Sequence, residues 1–561
     1  NPRRRTRAAE PAHSRTTAWL WLGGRRLIGA RTGCRMWTRA RKFAVLAGIV
    51  VLGATTAGPT ATADHDRGLP LGPRDLPETR TVEHLQPGVT LTTIVRGEPD
   101  PDNGWTVEIA IPGGGENPDP DAPPTAIADR EDADALKDAL ADNGFTARTE
   151  EVTTPRVADF PGGTLGYRVR IGHHDDKPAA DAVLEQVRAA GFTASTVFTG
   201  WDGDPADRGP WRVQLLTIDP KKFRGDLVGD FGPDLERRET TSALAAARNA
   251  TAAVNAGFFV LDPAAGAPGD PAGLGVYNGQ FHSEPTNGRP VLAFDTDARA
   301  DVARYRWTGS VAGRLPLDGI NRVPGLIRNC GGTPDDQPTS RPLHDTTCTD
   351  ADELVAFTPH YGASTPTGPG VEAVLDRHDR VTELRTPRGG PLPAGTHSIQ
   401  ATGTQADALK ELAKPGARLR IDTKLTDNRG RPARLPDMIV NGGPELVRDG
   451  RPHATPNADG MVRPGDPSFY YGWVSKRNPR TIAGVDNRGR LLLATIDGRA
   501  VDNLGLSIAE SAKVAAALGM HEAINLDGGG STTMVANGEV INNPSDATGE
   551  RPVGDAILIL E

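Results

Sequence analysis

Four polar residues stand where an apolar segment of the sequence gives way to small residues and glycine. The segments ATAAVN, PDMIVN, LLLATID and EAINLD end at Asn255, Asn441, Asp497 and Asp527. Amides and carboxylates at strand ends that feed flexible loops are typical of substrate-binding sites in sheet-based enzymes. We therefore predict that these side chains share one site, with an ordinary turn as the open alternative for Asn441.

The loop after Asp527 has a composition suited to an anion or a sugar. It continues with Gly528, Gly529, Gly530, Ser531 and Thr532. A tight turn needs one or two glycines, whereas three in a row indicate a backbone that lies close to a ligand and offers N–H and hydroxyl donors. No lysine follows in the phosphate-loop position and no helix pattern follows the glycines, so a nucleotide site is disfavoured.

The element before this loop is predicted to be a helix. In LGLSIAESAKVAAALGMHEAINLD, Ser507 and Glu510 form a possible capping box, apolar residues recur at helical spacing, and Gly519 ends the helix. The chain then returns through the strand that carries Asp527. Glu510 therefore has two open interpretations, as the capping partner of Ser507 or as a catalytic carboxylate.

Six motifs, in this order, resemble the phosphodiester glycosidase domain. They are NAGFF at 255–259, NPRTIAGVD at 478–486, IDGR at 496–499, GLSIAE at 505–510, NLDGGGSTTM at 525–534 and RPVGDAILI at 551–559. The family includes an enzyme that uncovers mannose 6-phosphate by removing N-acetylglucosamine from a sugar phosphodiester. The resemblance implies a domain of this kind over 205–561. Ala256 departs from the family, which usually has glycine there, and 334–347 looks like a local insertion.

Cleavage of a sugar C1–O bond with a phosphate ester as leaving group needs little general acid, because the leaving oxygen is weakly basic. It needs a carboxylate at the anomeric carbon, as nucleophile or as the base that activates water, and cations or N–H groups for the phosphate. Asp497 and Asp527 are the predicted carboxylates, with Glu510 third. Retaining and inverting mechanisms differ in carboxylate separation, which leaves the stereochemical course open.

The other predicted site residues are polar side chains and loop N–H groups. For the phosphate they are Arg480, Arg551, Gly528, Gly529, Gly530, Ser531 and Thr532, and for the remainder of the substrate they are Asn255, Asn441 and Asp486. Asn255 is expected to hold a sugar hydroxyl. For Arg480, an ordinary surface salt bridge is the alternative.

Residues 101–204 contain a weak internal duplication. The first half consists of WTVEIAI followed by DREDADALKDALADNGFTARTEEV. A similar pattern recurs in the second half, as GYRVRIG followed by DDKPAADAVLEQVRAAGFTASTVF. Each half reads as strand, helix, strand, with Asp129 or Asp176 as N-cap and Gly144 or Gly191 after the helix. The resulting ferredoxin-like βαββαβ domain resembles SPOR domains, which implies binding to peptidoglycan glycan strands; a generic ferredoxin-like spacer is the alternative.

The N-terminal part has the layout of an export signal. Residues 36–63 have a basic start, an apolar stretch and a small-residue exit, which indicates a signal peptide cleaved after Ala63. Because the sequence begins with Asn1, we take residues 1–35 as a mis-called extension ahead of Met36. The apolar stretch is shorter than the roughly 20 residues that span a bilayer. We therefore predict a secreted, extracellular or cell-wall-associated protein without a stable membrane span.

Charge limits the possible partners. Removing residues 1–63 takes away twelve basic side chains and one acidic one, and so moves the net charge from −9 to about −20. A surface of this charge is repelled by phosphate backbones, so nucleic acid is not expected as a partner. Residues 64–100 are polar and Pro-rich, and we predict a linker there with one strand at 88–96.

Cys330 and Cys348 remain as one pair after the predicted cleavage. An even count outside the membrane, flanking a polar loop, predicts a disulfide with a structural role. Two thiols without a nearby ligand pair make a poor zinc motif. No spacing matches an EF-hand calcium loop, so we assign no metal ligands, and a cation such as Ca²⁺ among the carboxylates near the glycine loop is an open alternative. We predict no cofactor.

The expected fold class is α/β in the broad sense, an α+β chain in which a mixed-sheet phosphodiester glycosidase-like domain follows the small ferredoxin-like domain. Three functions are open: a secreted glycosidase acting on a phosphate-linked envelope glycan, a non-catalytic glycan-binding cell-wall protein, and a structural protein whose glycine loops serve only the fold. The six motifs keep their polar residues, which favours the enzyme.

Overall fold

The structure, a computed structural model, describes residues 68–111, 124–286, 288–330 and 341–561. The predicted signal peptide at 36–63 and the predicted extension at 1–35 lie outside these residues. Within the described part, no helix has the length and apolar character needed to cross a membrane.

Strands form most of the described structure. In chain order they are β1 Glu78–Gln86, β2 Val89–Arg96, β3 Trp105–Ile109, β4 Ala147–Thr154, β5 Gly163–His174, β6 Ala194–Phe198, β7 Trp211–Ile218, β8 Leu227–Asp230, β9 Ala252–Asn255, β10 Gly275–Tyr277, β11 Gln280–Ser283, β12 Pro290–Phe294, β13 Ala300–Val311, β14 Leu315–Leu317, β15 Gly319–Ile320, β16 Leu326–Arg328, β17 Thr347–Thr349, β18 Leu354–Phe357, β19 Ser364–Gly368, β20 Val371–Leu375, β21 Val381–Arg385, β22 Arg388–Pro391, β23 His397–Ala401, β24 Ile421–Asp427, β25 Met438–Asn441, β26 Glu445–Arg448, β27 Arg451–Pro452, β28 Arg480–Asp486, β29 Leu491–Ile496, β30 Met520–Asn525, β31 Met534–Ala536, β32 Glu539–Val540 and β33 Ala556–Ile559.

The helices are short. They are α1 Arg130–Asp142, α2 Lys177–Ala189, α3 Thr241–Arg248, α4 Gln405–Leu412, α5 Pro467–Tyr470 and α6 Ile508–Ala517, with 3₁₀ turns at Thr199–Trp201, Pro263–Ala265 and Gly529–Ser531 and a π-helical turn at Tyr471–Ser475.

The largest sheet has eight strands in the order β1-β2-β7-β29-β28-β30-β26-β27. β1 and β2 form a hairpin, and β2 pairs along its whole length with β7. The strand predicted at 88–96 is confirmed by β2, but the linker prediction for 64–100 is wrong, since both strands belong to this sheet. β1 was missed because it is an edge strand with mostly exposed residues, which leaves no apolar alternation to detect.

A second sheet, in the order β32-β31-β9-β33-β8, shares an apolar core with one face of the eight-stranded sheet. α6 packs on the other face through Ile508, Ala512 and Ala515. The predicted capping box of Ser507 and Glu510 is present, so this part of the helix prediction is confirmed.

The middle of the chain adds a seven-stranded sheet around β12, β13 and β25 and a five-stranded sheet in the order β15-β18-β23-β20-β21. Among the described ladders of named strands, only the β15–β18 pair is parallel. The α+β class is therefore confirmed, and the architecture is antiparallel rather than doubly wound. Polar residues at strand ends consequently do not all meet at one edge.

The N-terminal domain has the predicted order β3-α1-β4-β5-α2-β6, with its sheet ordered β4-β5-β3-β6. Both predicted N-caps are confirmed, because Asp129 accepts a hydrogen bond from the Asp132 N–H (2.9 Å) and Asp176 accepts one from the Ala179 N–H (2.8 Å). The two helices pack on one face of the sheet.

Candidate active site

Three strands of the largest sheet bring the main candidates to one edge. β28 begins at Arg480 and pairs antiparallel with β29 on one side and β30 on the other. Arg480 lies opposite Ile496, which precedes Asp497, and β30 ends at Asn525, two residues before Asp527. Because β29 and β30 both run opposite to β28, they end where it starts.

A cavity of about 210 Å³ lies at this edge. Its lining includes the loop Asp527–Gly530, the arginines Arg328, Arg480, Arg499 and Arg551, the rings of Phe258, Phe259, His344 and Trp473, and the polar residues Asn329, Asp345, Asn478 and Asn525. The four guanidinium groups outnumber the two carboxylates, which suits an anionic ligand.

Asp527 is the carboxylate that the glycine loop presents to the cavity. It is half-buried, and its Oδ1 accepts a hydrogen bond from the Gly528 N–H at 3.0 Å. Burial raises the pKa of Asp527 to about 6, against the opposing effects of Ser531 and Arg551. The Ser531 hydroxyl lies near the carboxylate without reaching normal hydrogen-bond geometry. Asp527 is therefore ionised at neutral pH but weakly solvated, as a nucleophile or base requires.

Two of the three glycines, Gly529 and Gly530, are required for different reasons. Gly529 has a φ of 59°, in the left-handed region that favours glycine. At Gly530 a Cβ atom would lie 2.1 Å from Asp546 Oδ1 and 2.3 Å from Arg551 Nη2. The close approach indicated by the glycine run is thus made at Gly530 by side chains of the same chain. Arg551 itself binds Asp546 through Nε (2.8 Å) and Nη2 (3.0 Å), and its role toward phosphate stays a prediction.

Arg480 and Arg499 form no ion pair with any carboxylate in the described part of the chain. Arg480 is buried and donates to the carbonyls of Leu506 (2.9 Å) and Trp473 (3.0 Å). Burial and the charge of Arg499 lower the pKa of Arg480 to about 9, which leaves it cationic at neutral pH. Arg499 donates to Asn478 Oδ1 at 3.2 and 3.1 Å. The salt-bridge alternative for Arg480 is therefore wrong. Arg499 was missed although its motif, IDGR, was recognised.

Asn255 fastens the loop and does not line the cavity. Its Nδ2 donates to the Asp527 carbonyl (2.7 Å), and its Oδ1 accepts from Thr481 Oγ1 (2.8 Å) and the Thr533 N–H (3.0 Å). The side chain is fully buried. The structure thus corrects the predicted contact with a sugar hydroxyl to a positioning role.

Asn441 also has a positioning role. Its side-chain amide exchanges two hydrogen bonds with the backbone of Phe258, at 2.9 and 3.0 Å. The alternative of a simple hairpin turn is wrong too, since β25 and β26 on either side of the turn belong to different sheets. Asn441 therefore supports a wall of the cavity, namely Phe258, from behind.

Asp497 reaches the edge of the sheet but not the cavity lining. Its Oδ1 accepts from Asn542 Nδ2 (3.2 Å) and the Asn543 N–H (3.0 Å), and Asn542 Nδ2 also donates to the Thr532 carbonyl (3.0 Å). Burial raises the pKa of Asp497 against these hydrogen bonds. Its catalytic role stays a prediction, and the geometry favours a support for the loop. Ser531 and Thr532 are likewise buried behind the loop and do not line the cavity, contrary to their predicted contact with phosphate.

Glu510 is the capping partner of Ser507, and the structural interpretation is confirmed. Its Oε2 accepts from the Ser507 N–H (2.9 Å), and Arg477 Nη2 binds its Oε1 at 2.6 Å. Burial alone would raise the pKa of Glu510, but the Arg477 charge and the hydrogen bonds outweigh it and lower the pKa. Glu510 does not line the cavity, so its predicted catalytic role is corrected.

Asp486 lies at the other end of β28 from Arg480, six residues away and thus roughly 20 Å along the strand. Its Oδ1 accepts from the N–H groups of Arg488 (2.8 Å) and Arg490 (2.9 Å), and its Oδ2 binds Arg490 Nε (2.7 Å). It braces the turn between β28 and β29. The predicted substrate contact is therefore wrong.

His344 is the main cavity residue that the sequence did not reveal. It lies between Cys330 and Cys348, whose predicted disulfide is present, and the segment was interpreted only as an insertion with a structural bridge. A single histidine in a polar loop carries no signal of its own. The disulfide encloses a segment that contributes directly to the cavity wall.

The environment of His344 fixes its protonation. Its Nδ1 lies 3.1 Å from Arg289 Nη2, which can only donate, so the neutral ring carries its proton on Nε2. Nε2 has no hydrogen-bond partner among the described residues. The ring packs edge-on against the rings of Phe258 and Trp473, with distances between ring centres of 4.9 and 4.8 Å. Burial and neighbouring arginines hold the pKa of His344 well below its usual value, so it is a neutral donor.

Fold and site together define a domain of mainly antiparallel sheets with an arginine-rich cavity, joined to a βαββαβ domain. The phosphodiester glycosidase family model matches residues 370–560, and the SPOR domain model matches 125–197. A crystal structure of a Burkholderia pseudomallei K96243 protein, provisionally named an exported protein, is 32% identical with a TM-score of 0.79 and covers 90% of this chain and 100% of that chain.

Curated relatives match over a shorter segment. N-acetylglucosamine-1-phosphodiester alpha-N-acetylglucosaminidase from Bos taurus and from Homo sapiens is 39% identical over 74 residues, which is 13% of this chain and 14% of each enzyme. The chain thus matches about one-seventh of the length of these enzymes. Residues 370–560 therefore carry a phosphodiester glycosidase domain, and residues 125–197 carry a SPOR domain.

Proposed function

We propose that this protein hydrolyses the bond between a sugar and the phosphate of a phosphodiester. The observation that carries the proposal is one cavity that holds the half-buried carboxylate of Asp527 together with Arg480 and Arg499, both without an ion-pair partner in the described part of the chain. A neutral glycoside has no use for the two cations, and phosphate recognition alone has no use for the carboxylate. A sugar phosphodiester uses both.

The proposed reaction follows from these positions. The phosphate binds Arg480 and Arg499, and the anomeric carbon faces Asp527. The C1–O bond breaks with its electron pair on the phosphate oxygen, which needs no proton at neutral pH, and the oxygen of water becomes bonded to C1. Asp527 either takes the proton of that water or first forms a glycosyl ester that water then cleaves.

The substrate we propose is a phosphate-linked glycan of the cell envelope, outside the membrane. The SPOR domain, whose family resemblance implies affinity for peptidoglycan strands, and the export-type sequence at 36–63 support this location. The non-catalytic glycan-binding protein is the competing function, which the following experiment distinguishes.

The full chain should release free sugar from the methyl phosphodiester of N-acetylglucosamine 1-phosphate. Asp527→Asn should lower kcat by about 10³-fold or more, because it removes the reacting carboxylate. Asp427→Asn is the matched control, since Asp427 braces a distant turn through the N–H groups of Arg429 and Arg431. Full activity in Asp527→Asn would overturn the proposal. Glycan binding without turnover in the wild type would establish the non-catalytic function.

A further inference from the structure

The helix-free face of the SPOR-domain sheet is buried, although no helix of that domain covers it. It carries Glu108 on β3, Glu150 on β4, and Arg168 and Arg170 on β5, and we call these four residues the charged face. On β5 the two arginines alternate with Val169 and Ile171, which pack under the helices. Glu108 is 5% exposed and Arg170 is 1% exposed. Something within the chain therefore covers this face.

The cover includes the segment 471–476 of the glycosidase domain. Arg168 Nη1 donates to Tyr471 Oη at 2.7 Å, and Lys476 Nζ donates to Glu108 Oε1 at 3.0 Å. Lys476 Nζ also lies 4.9 Å from the centre of the Tyr471 ring. One ion pair, Lys476–Glu108, and one hydrogen bond, from Arg168 to Tyr471, thus cross the contact between the two domains.

The charged residues at this contact form one ion-pair network. Arg170 binds Glu108 at 2.7 Å and Asp202 at 2.6 Å, and Arg168 binds Glu150 at 2.8 Å and Asp202 at 2.9 Å. With Lys476 on Glu108 and Arg148 on Glu150 (2.6 Å), the network has four cations and three carboxylates. Buried groups in such a network lose much if one partner is removed, so the contact fixes the segment in one position.

The same segment reaches the cavity on its other side. Its residues 471–475 form the π-helical turn, which exposes Trp473 to the cavity. The carbonyls of Trp473 and Lys476 accept hydrogen bonds from Arg480 Nη2 at 3.0 and 3.4 Å. Asn478, which holds Arg499, also donates to the carbonyls of Gly472 (3.2 Å) and Lys476 (3.3 Å). Arg480 directly, and Arg499 through Asn478, are therefore held by this segment.

We propose that the charged face is a docking surface for residues 471–476 of the same chain, through which the SPOR domain positions Arg480 and Arg499 for an anionic substrate. The inference rests on the proposed function in taking the phosphate group as that anion. It makes the SPOR domain a part of the active site, in addition to any role in glycan binding. A glycan strand cannot lie on the charged face while Tyr471 and Lys476 occupy it.

The test uses the full chain and inorganic phosphate as the probe, measured by calorimetry. Lys476→Met keeps the aliphatic stem but removes the charge that binds Glu108, and we expect about tenfold weaker phosphate binding. Lys476→Arg should retain most of the wild-type affinity, because it restores a cation at this position. Lys137→Met is the matched control, since within the described part of the chain Lys137 has one ion-pair partner, Asp134 of the same helix α1.

Activity provides the second measurement. Lys476→Met should raise KM for the phosphodiester about tenfold while kcat stays within about threefold, because Arg480 and Arg499 bind the phosphate and Asp527 does not move. Wild-type phosphate affinity in Lys476→Met, or equal losses in Lys476→Met and Lys137→Met, would overturn the inference, as would a wild type that binds no phosphate. If the wild type binds phosphate but hydrolyses no phosphodiester, the proposed function fails, and the affinity series still decides the inference.

Discussion

The burial of the Asp527 carboxylate lowers the stability of the folded protein at neutral pH. Its pKa is raised by burial to about 6, whereas an unfolded aspartate has a pKa of about 3.9. Between these values the folded state binds more protons than the unfolded state, so the free energy of unfolding falls as pH rises through this window and stays lower above it.

Asp527→Asn is therefore expected to abolish hydrolysis and to stabilise the protein at pH 7. The gain should be roughly 1–2 kcal/mol, after allowance for the part of the side chain that faces the cavity. Denaturant unfolding at pH 7 and pH 4 measures it, and the gain should shrink at pH 4. A less stable variant at pH 7 would contradict the burial argument.

The pH profile separates the two predicted carboxylates. The kcat/KM of the wild type should fall about tenfold per pH unit below about 6, as Asp527 becomes protonated. If Asp497 only supports the loop through Asn542 and Asn543, Asp497→Asn should lower activity without moving this acidic limb. A shifted limb would show that Asp497 titrates in the reaction.

His344 is expected to act as a neutral hydrogen-bond donor. Removing the donor in His344→Ala should lower kcat/KM by about ten- to a hundredfold. His344→Gln retains an N–H group of similar reach and should recover part of the loss. Steady-state kinetics over pH provides the check: a changed acidic limb in either variant would show that His344 titrates, against its burial beside Arg289.

The residue types located the site better than they assigned the roles. Asp527 and Arg480 have the positions expected from their motifs, whereas Asn255 and Glu510 use their hydrogen-bonding atoms on the protein itself. A sequence shows which hydrogen-bond donors and acceptors each side chain has, but not how many of them already bond to other groups of the protein. Arg499 is the opposite case. Its charge is available to a ligand because no carboxylate among the described residues pairs with it, and the sequence gives no sign of this.

Among the structural elements, the glycine loop packs so closely against the Arg551–Asp546 ion pair that Gly530 has no room for a side chain. Gly530→Ala should displace Arg551 and Asp546, because the new Cβ would lie within 2.3 Å of both side chains, and activity should fall. Gly489→Ala is the control, with a φ of 78° and open space around the Cβ position. It should cost about 1 kcal/mol of stability through backbone strain and leave kcat unchanged. Equal kinetic losses would contradict a local effect at the loop.

Elements with local signals could be predicted from the sequence. The capping residues Asp129, Asp176 and Ser507 set three helix starts, because their contacts lie within one turn. β1 and the turn role of Asp486 could not be predicted. An exposed edge strand shows no apolar period, and the register that places Asp486 far from the cavity depends on partners distant in sequence.

At the scale of the whole molecule, β1 and β2 make the glycosidase domain larger than residues 205–561. A fragment with those bounds would leave the β7 edge unpaired and lose buried Val89, Leu91 and Ile94 from the core, each of which contributes about 1.5–3 kcal/mol when buried. We expect it to be unfolded or aggregated, whereas 68–561 should unfold cooperatively. Circular dichroism during heating tests this, and a cooperative transition in 205–561 would contradict the strand assignment.

The five-stranded sheet β32-β31-β9-β33-β8 cannot form early during synthesis of the chain. β9 ends in Asn255, yet its two neighbours are β31 and β33, almost 300 residues further along. Both edges of this apolar strand therefore stay unpaired until residues 534–559 have left the ribosome, and contacts so distant in sequence form slowly. Because Asn255 fixes Asp527, a nascent chain that lacks β31 and β33 cannot hold the completed cavity.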